Sequence, residues 1–332
     1  MTGLPRRTSP AQTLARPLRR TLTRTLAATA LLAAATGCGA QPADPETLPA
    51  ADSASSPTQD PSVSASPTPA PAETVEPEAE GPAASVPAER TTVGVYFVGD
   101  APSGPRLFRE FRSVSAQDPL TEAAALLTSG DVLDPDYRTL FPRGSFGSVR
   151  ASDGMLVVEL ADGAWVQRPR GMTREHAELA VQQLLHTLQA VIQARAPMTV
   201  LLDGVPSTLL GVPTAGGVTN ADPLEVLALV NVTSPEQGSR PSGSLRATGV
   251  ASSPEANVPW EIRRGQEVVM TGFATAEGWM DKLYPWQTEE IDVSGLAKGS
   301  YTFVASTDDP SDGEGRNEGG GPTTDSKDFT LR

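Results

Sequence analysis

The chain has very few of the residues that build catalytic and metal sites. Its 332 residues include one cysteine, Cys38, and two histidines, His176 and His186. A single cysteine excludes an internal disulfide, every cysteine-based metal cluster and the paired-cysteine motif of redox proteins. Three roles remain open for Cys38: a reactive thiol, a buried small side chain, or a point of covalent attachment.

The two histidines do not form a site with each other. Both lie in one predicted helix, ten residues apart, which places them about 80° apart around its axis and ~15 Å along it. They therefore cannot share a metal ion, and the G-x-S-x-G elbow of serine hydrolases does not occur. His186 borders an apolar stripe, so we expect it to be packed. We predict no catalytic residue, no metal, no cofactor and hence no enzyme.

Positive charge is scarce outside the first residues. The chain has 40 Asp and Glu against 26 Lys and Arg, and its formal net charge is −14 at pH 7. Residues 1–37 hold six arginines and no acid, so their removal lowers the net charge to −20. An acidic chain repels the phosphate backbone, so we expect no nucleic-acid partner. Anionic lipid headgroups would not attract it either, so membrane attachment must be covalent.

Residues 1–37 have the pattern of an export signal. The arginines precede a short apolar run, Leu26 to Thr36, that ends in small residues. A basic region, a short apolar region and a small-residue cleavage site define such signals. The run is about half the ~20 residues that a membrane-spanning helix needs. The pair Arg19-Arg20 also fits twin-arginine export, so the export route stays open.

The signal ends in Ala35-Thr36-Gly37-Cys38, which resembles a bacterial lipobox. In a lipobox the cysteine becomes the first mature residue and carries lipid; here Ala35 replaces the usual leucine. The resemblance implies that lipid is attached to Cys38 and that the protein is anchored in the cell membrane, on its extracytoplasmic face. The alternative is an ordinary signal peptide with an incidental cysteine.

Residues 38–90 contain almost no large apolar side chain. Their Pro, Ala, Ser, Thr and Glu cannot bury enough surface to offset the conformational entropy of folding. We therefore predict a disordered tether, stiffened by its prolines, between a lipid anchor and a folded body.

Residues 91–218 predict an α+β domain with the element order β-β-α-β-β-α-β. Asp118 is a suitable N-cap for the first helix, Pro119 suits its first turn, and Gly130 suits its C-terminal cap. The second helix begins after Thr173 and has the clearest helical periodicity in the chain. We expect both helices to pack on one face of a sheet. The predicted strands are 91–100, 106–114, 145–151, 155–162 and 197–204.

Residues 222–332 predict a different architecture. Helical periodicity ends, and about seven short alternating segments follow at regular intervals, separated by turn residues. This spacing is typical of an immunoglobulin-like β-sandwich. The predicted strands are 226–234, 244–252, 257–264, 266–275, 288–294, 299–306 and 326–332.

Two segments of this second domain suggest binding. Trp279, Tyr284 and Trp286 lie between predicted strands, where exposed aromatic side chains can stack on sugar rings or anchor a protein partner. The alternative is that this loop folds back over one end of the sandwich. The acidic loop 308–321 lacks two ligands of an EF-hand, since Pro310 and Gly319 occupy their positions. Calcium binding by this loop stays open, as does a plain solvated loop.

Both domains resemble known families. The segments VGVYFVGD, DPLTEAAALLTSG, LFPRGSFGSV and LVVELAD are similar to the GerMN-type domain of bacterial sporulation and germination lipoproteins. The segments VPWEIRRGQEVVMTGFAT and GSYTFVASTDDPSDGEG resemble the immunoglobulin-like domain of bacterial spore germination proteins. The richness in Ala, Arg and Pro fits an actinobacterium.

The two resemblances together imply a non-enzymatic, membrane-anchored envelope lipoprotein. Such a protein would act as a protein-interaction or assembly module, through an envelope protein partner or through self-association. The alternative is a lipoprotein that binds cell-wall glycan through the exposed aromatic side chains of its C-terminal domain.

Overall fold

The computed structural model describes residues 89–309 and 321–332. The predicted signal, the predicted tether up to residue 88 and Cys38 lie outside these residues. Within them, no helix is both long enough and apolar enough to cross a membrane.

The element order predicted for the first domain is confirmed. Asp118 accepts a hydrogen bond from the Thr121 amide, Gly130 has the left-handed φ of 69° expected of a C-cap, and Thr173 caps the second helix through the His176 amide. The elements are β1 (Arg90–Ala101), β2 (Gly104–Ser115), α1 (Pro119–Ser129), β3 (Phe146–Ser152), β4 (Met155–Leu160), α2 (Arg174–Ile192) and β5 (Met198–Leu202). Short elements follow: β6 (Val205–Pro206), β7 (Thr208–Leu209), β8 (Val212–Pro213) and α3 (Pro223–Val226).

The strands of this domain form separate sheets rather than the single sheet we expected. β1 and β2 make an antiparallel hairpin, and β3, β4, β5 and β6 make a four-stranded sheet in which β4 and β5 are parallel. Among the described residues, the outer edge of β1 forms a backbone bridge only between Val98 and Arg138. Side chains of both sheets and both helices nevertheless share one core. α2 is therefore buried well beyond its apolar stripe, including the polar Gln183 and Thr187.

The second domain is the predicted β-sandwich. Its elements are β9 (Val230–Ser234), β10 (Ser244–Leu245), β11 (Thr248–Ala251), β12 (Asn257–Arg264), β13 (Glu267–Ala276), β14 (Tyr284–Gln287), β15 (Ile291–Asp292), β16 (Gly299–Ser306) and β17 (Thr324–Leu331). Seven strands follow each other in the order β17-β16-β12-β13-β14-β11-β9, and β10 pairs with β15. The sequence does not predict β14, because its residues fall in a predicted loop.

Two hydrogen bonds stabilise one corner and one edge of this sandwich. The Tyr301 hydroxyl donates to the Ala297 carbonyl at 2.6 Å, four residues upstream, which is the tyrosine-corner arrangement of immunoglobulin-like domains. The segment after β9 then runs parallel to β17, since the Thr330 amide donates to the Ser239 carbonyl at 2.9 Å. The edge of β17 is therefore covered rather than left open.

Candidate interaction sites

A buried polar cluster joins the two domains. Lys327 of β17 donates to the Asp134 carboxylate at 2.7 Å, to the Tyr137 hydroxyl at 2.6 Å and to Asp325 at 3.0 Å. The Tyr137 hydroxyl donates in turn to Asp325 at 2.6 Å. Asp134 and Tyr137 follow α1 in the first domain, whereas Asp325 and Lys327 belong to the second. We call these four residues the interdomain cluster.

Each end of the cluster is held by its own domain. Glu110 of β2 accepts hydrogen bonds from the amides of Leu133 and Asp134, which fixes the loop after α1. Asp325 accepts from the Asn231 side chain at 2.9 Å and from the Val232 amide at 2.6 Å. All the carboxylates are therefore satisfied, as buried ionised groups must be.

Burial and charge act against each other in the cluster. Burial raises the pKa of Asp134 above 3.8, although Lys327 opposes this effect. Burial disfavours the charge of Lys327, but the attraction of Asp325 and Asp134 outweighs it, so the pKa of Lys327 is raised above 10.5. Burial, followed by the charges of Asp325 and Asp134, raises the pKa of Tyr137 well above 10. Lys327 is therefore a stable cation at neutral pH.

Apolar contacts cross the same boundary. Leu283, which precedes β14, packs against a cluster that includes Leu107 of β2 and Leu179 of α2. The Ala228 amide donates to the Leu107 carbonyl at 2.9 Å, so the connecting segment is itself tied to the first domain. The described residues of the two domains belong to one compact unit, and these contacts explain why.

A groove of 390 Å³ lies on the first domain, between the β1–β2 hairpin and the end of α2. Arg109 and Arg195 are its charged side chains, and no carboxylate lines it. Arg109 lies over the Phe111 ring, with 4.8 Å from its guanidinium carbon to the ring centre. We call this feature the cationic groove. Its remaining lining is Thr92, Val93, Gly94, Tyr96, His186, Gln189, Ala190, Gln193 and Ala194.

His186 forms the inner wall of the cationic groove and is neutral. Burial, with a smaller contribution from Arg195, lowers its pKa from 6.5 to about 4. Its Nε2 lies 3.3 Å from the Asn220 amide nitrogen, which can only donate, so Nε2 accepts. The expectation that His186 is packed is confirmed, since it is buried and its ring centre lies 5.3 Å from that of Tyr96.

A second cleft, of 590 Å³, differs from the cationic groove because most of its charged residues are acidic. Its floor is apolar, and its charged residues are Arg106 and three glutamates, Glu175, Glu178 and Glu225. Burial lowers the pKa of Arg106 against the attraction of Glu225. The apolar side chains are Pro105, Leu179, Val181, Val212, Val218, Ala221 and Val226.

The predicted aromatic site separates into an exposed and a buried part. Trp279 is 59% exposed and its neighbour Met280 is 53% exposed. Tyr284 is half-buried, with Lys282 lying 4.8 Å above its ring. Trp286 is only 3% exposed, so the expectation that it is an exposed loop residue is wrong.

Trp286 is buried because it faces the core of the sandwich from β14, an inner strand paired with both β11 and β13. It stands opposite Gly249, and a Cβ at that glycine would lie 2.7 Å from the Trp286 ring. The indole therefore occupies the space that a side chain at position 249 would need. An exposed aromatic residue that the sequence analysis missed is Phe273 of β13, at 71% exposure.

The other sequence features give no site within residues 89–309 and 321–332. No three His, Cys, Asp or Glu residues come together there in a way that could hold a metal ion. His176 and His186 both lie on α2 and only His186 is buried. Residues 310–320, which form most of the acidic loop 308–321, lie outside the described residues, as does Cys38.

Both domains are similar to known families. Residues 94–208 match the family described as sporulation and spore germination. Residues 229–314 match the immunoglobulin-like domain of bacterial spore germination. Both predicted resemblances are therefore confirmed. The GerMN-type domain contributes the cationic groove, and the germination-type immunoglobulin-like domain contributes the exposed Trp279.

Solved structures show only weak similarity. The tandem GerMN domains of the sporulation protein GerM from Bacillus subtilis are 14% identical, with a TM-score of 0.31, over 62% of this chain and 63% of that one. An engineered protein is 17% identical with a TM-score of 0.24, over 46% of this chain and 36% of that one. Murine CRIg is 11% identical with a TM-score of 0.17, over 31% of this chain and 94% of that one.

The chain spans less than two thirds of the length of the first two of these structures. No curated protein matches it. The two matching families are described by sporulation and germination rather than by a catalytic activity. This agrees with a protein-interaction module.

Proposed function

We propose that this protein is an envelope lipoprotein, anchored in the cell membrane through lipid on Cys38, that binds protein partners outside the cytoplasm. The observation that carries the proposal is the pairing of a GerMN-type domain with a germination-type immunoglobulin-like domain in one chain. The lipobox-like end of the basic N-terminal region supplies the anchor.

The contacts between the domains support a binding role. Lys327, Asp134 and Tyr137 fix the position of one domain against the other through buried hydrogen bonds. A binding surface that is already ordered loses less conformational entropy when a partner binds. The two domains therefore offer a partner one pre-arranged surface rather than two independent ones.

The anchor is tested by cell fractionation of the wild type and of Cys38→Ala. We expect the wild type in the membrane fraction and Cys38→Ala in the medium, because the attachment depends on a covalent lipid. The nearby Ser53→Ala is the matched control and should remain in the membrane. Full membrane retention of Cys38→Ala would exclude anchoring through this residue.

Binding of a protein partner is tested by chemical cross-linking in living cells, followed by purification from the membrane and mass spectrometry. The proposal predicts a reproducible protein adduct, or a ladder of self-linked species. Recovery of wall fragments without any protein adduct would contradict it.

A second candidate function is binding of cell-wall glycan. It is favoured by the exposure of Trp279 beside Met280, because an exposed indole offers a flat face to a sugar ring. Pull-down with purified cell wall tests it, before and after Trp279→Ala. Trp286 is unsuitable for this test, because its removal damages the core of the sandwich.

A further inference from the structure

The cationic groove brings two arginines together on a protein that is acidic overall. The chain has 14 more acidic than basic residues, and four other arginines of the GerMN-type domain are paired. Arg90, Arg112, Arg138 and Arg174 each lie within 4.0 Å of a carboxylate. In the described part of the chain, neither groove arginine forms a salt bridge.

Arg109 is held in place while some of its donors stay unused. Its guanidinium lies over the Phe111 ring, and its Nη2 donates to the Thr233 hydroxyl at 3.3 Å. Its Nε is buried and has no hydrogen-bond partner among the described residues. A guanidinium has five N–H donors, so Arg109 can still bind an acceptor that enters the groove.

Arg195 offers the second cation. It follows the end of α2, is exposed, and donates from Nη1 to the Gln189 side chain at 3.2 Å. Its charge contributes to the lowered pKa of His186, so it lies close to the inner wall of the groove. Because His186 is neutral, it adds no charge to the groove. The positive electrostatic potential of the groove therefore comes from Arg109 and Arg195.

The rest of the lining favours a peptide over a simple anion. Thr92 and Gln193 offer neutral hydrogen-bonding groups, while Phe111 offers apolar surface. A volume of 390 Å³ lies within the ~300–1,000 Å³ range of ligand pockets. It accommodates a few residues of extended chain rather than a helix.

We propose that the cationic groove binds an acidic peptide segment of a protein partner. Arg109 and Arg195 bind the carboxylates of that segment. Phe111 contacts an apolar side chain that lies between those carboxylates. This inference rests on the proposed function, since it specifies the chemistry of the partner. An acidic segment suits a groove in which arginine supplies fork-shaped, charge-assisted donors.

The test is an NMR titration of the full chain, produced without lipid, with a short peptide that alternates glutamate and leucine. The control peptide has glutamine at every glutamate position. We expect the amide signals of Gly94 and Ala194 to shift with the glutamate peptide, and that peptide to bind at least about tenfold more tightly than the control. A tenfold change is the size expected for the loss of one charge-assisted hydrogen bond.

Two variants assign the binding to the groove. Arg195→Glu should weaken binding of the glutamate peptide at least about tenfold. Arg150→Glu makes the same change of charge on β3, at an exposed side chain with no hydrogen bond or salt bridge in the described residues, and should leave the affinity within about twofold. Arg109→Gln should also weaken binding without reversing a charge.

Three results would overturn the proposal. These are equal binding of both peptides, an equal effect of Arg150→Glu and Arg195→Glu, and displacement of the peptide by inorganic phosphate at a lower concentration than by free glutamate. The last result would identify a phosphate site instead. Because the titration uses unlipidated protein in solution, its failure would leave the Cys38 anchor untouched, and failure of the fractionation test would leave the groove untouched.

Discussion

The ammonium nitrogen of Lys327 lies 2.7 Å from the Asp134 carboxylate although the two residues are 193 positions apart in the chain. One belongs to the last strand of the immunoglobulin-like domain, and the other follows the first helix of the GerMN-type domain. Both are buried. Unfolding of either domain would therefore expose charged groups of the other, which couples the stability of the two.

Removal of the Lys327 ammonium group should destabilise both domains together. Lys327→Met leaves Asp134 and Asp325 buried without their counter-ion, and removing one partner of a buried ion pair costs about 3–5 kcal/mol. We expect this loss in the free energy of unfolding by urea, as a single transition. Lys298→Met, at an exposed lysine of the same domain, is the control and should change it by less than about 0.5 kcal/mol. A change below about 1 kcal/mol in Lys327→Met would contradict the account.

The loss of unfolding free energy caused by Lys327→Met should be smaller when the carboxylate of Asp134 is also neutralised. In the double variant Asp134→Asn with Lys327→Met, one unpaired buried charge is gone. The double variant should therefore be more stable than the sum of the two single losses, by about 1–3 kcal/mol. Additive losses, measured by the same urea unfolding, would mean that the two side chains do not interact.

The buried histidine should make folding sensitive to acid. Burial and Arg195 lower the pKa of His186 to about 4 in the folded protein, against 6.5 in the unfolded chain. Its contribution to stability is therefore complete above pH 6.5 and is lost as the pH falls toward 4. Between pH 7.5 and 5, the wild type should lose about 2 kcal/mol more than His186→Gln.

The control for that measurement is His176→Gln, on the same helix but half-buried. It should keep the acid sensitivity of the wild type. An identical pH profile for the wild type and His186→Gln would show that the neutral imidazole does not contribute in this way.

The two tryptophans near the predicted aromatic site should behave in opposite ways. Trp286→Ala removes a side chain from the core of the sandwich and should cost about 3–5 kcal/mol of unfolding free energy. Trp279→Ala removes an exposed side chain and should change it by less than about 0.5 kcal/mol. Thermal unfolding measures both, and equal effects would contradict the positions of these residues.

The parts that the sequence predicts well are those set by local chemistry. Asp118 and Thr173 cap their helices as predicted, because a cap depends on a few neighbouring residues. Strand β14 was missed because its Pro285 and the turn-rich residues before it favour a loop. The alternation of Tyr284, Trp286 and Thr288 was the available signal.

The interaction sites could not be predicted in the same way. Arg109 and Arg195 come from a strand and from the residues after a helix, and nothing in either local pattern indicates that they meet. Lys327 and Tyr137 are 190 residues apart and belong to different domains. In a sequence, Lys327 is one polar residue of an alternating strand, and only the packing of the two domains makes it buried.

The most direct test of the central claim is site-specific photo-cross-linking in living cells. A photoreactive amino acid replaces Gln193, which lines the cationic groove, or Arg150, which is exposed on β3. The account predicts a defined protein adduct from position 193 that is absent from position 150 and is lost when Arg195→Glu is added. The same adducts from both positions, or none from position 193 while the protein stays in the membrane, would contradict it.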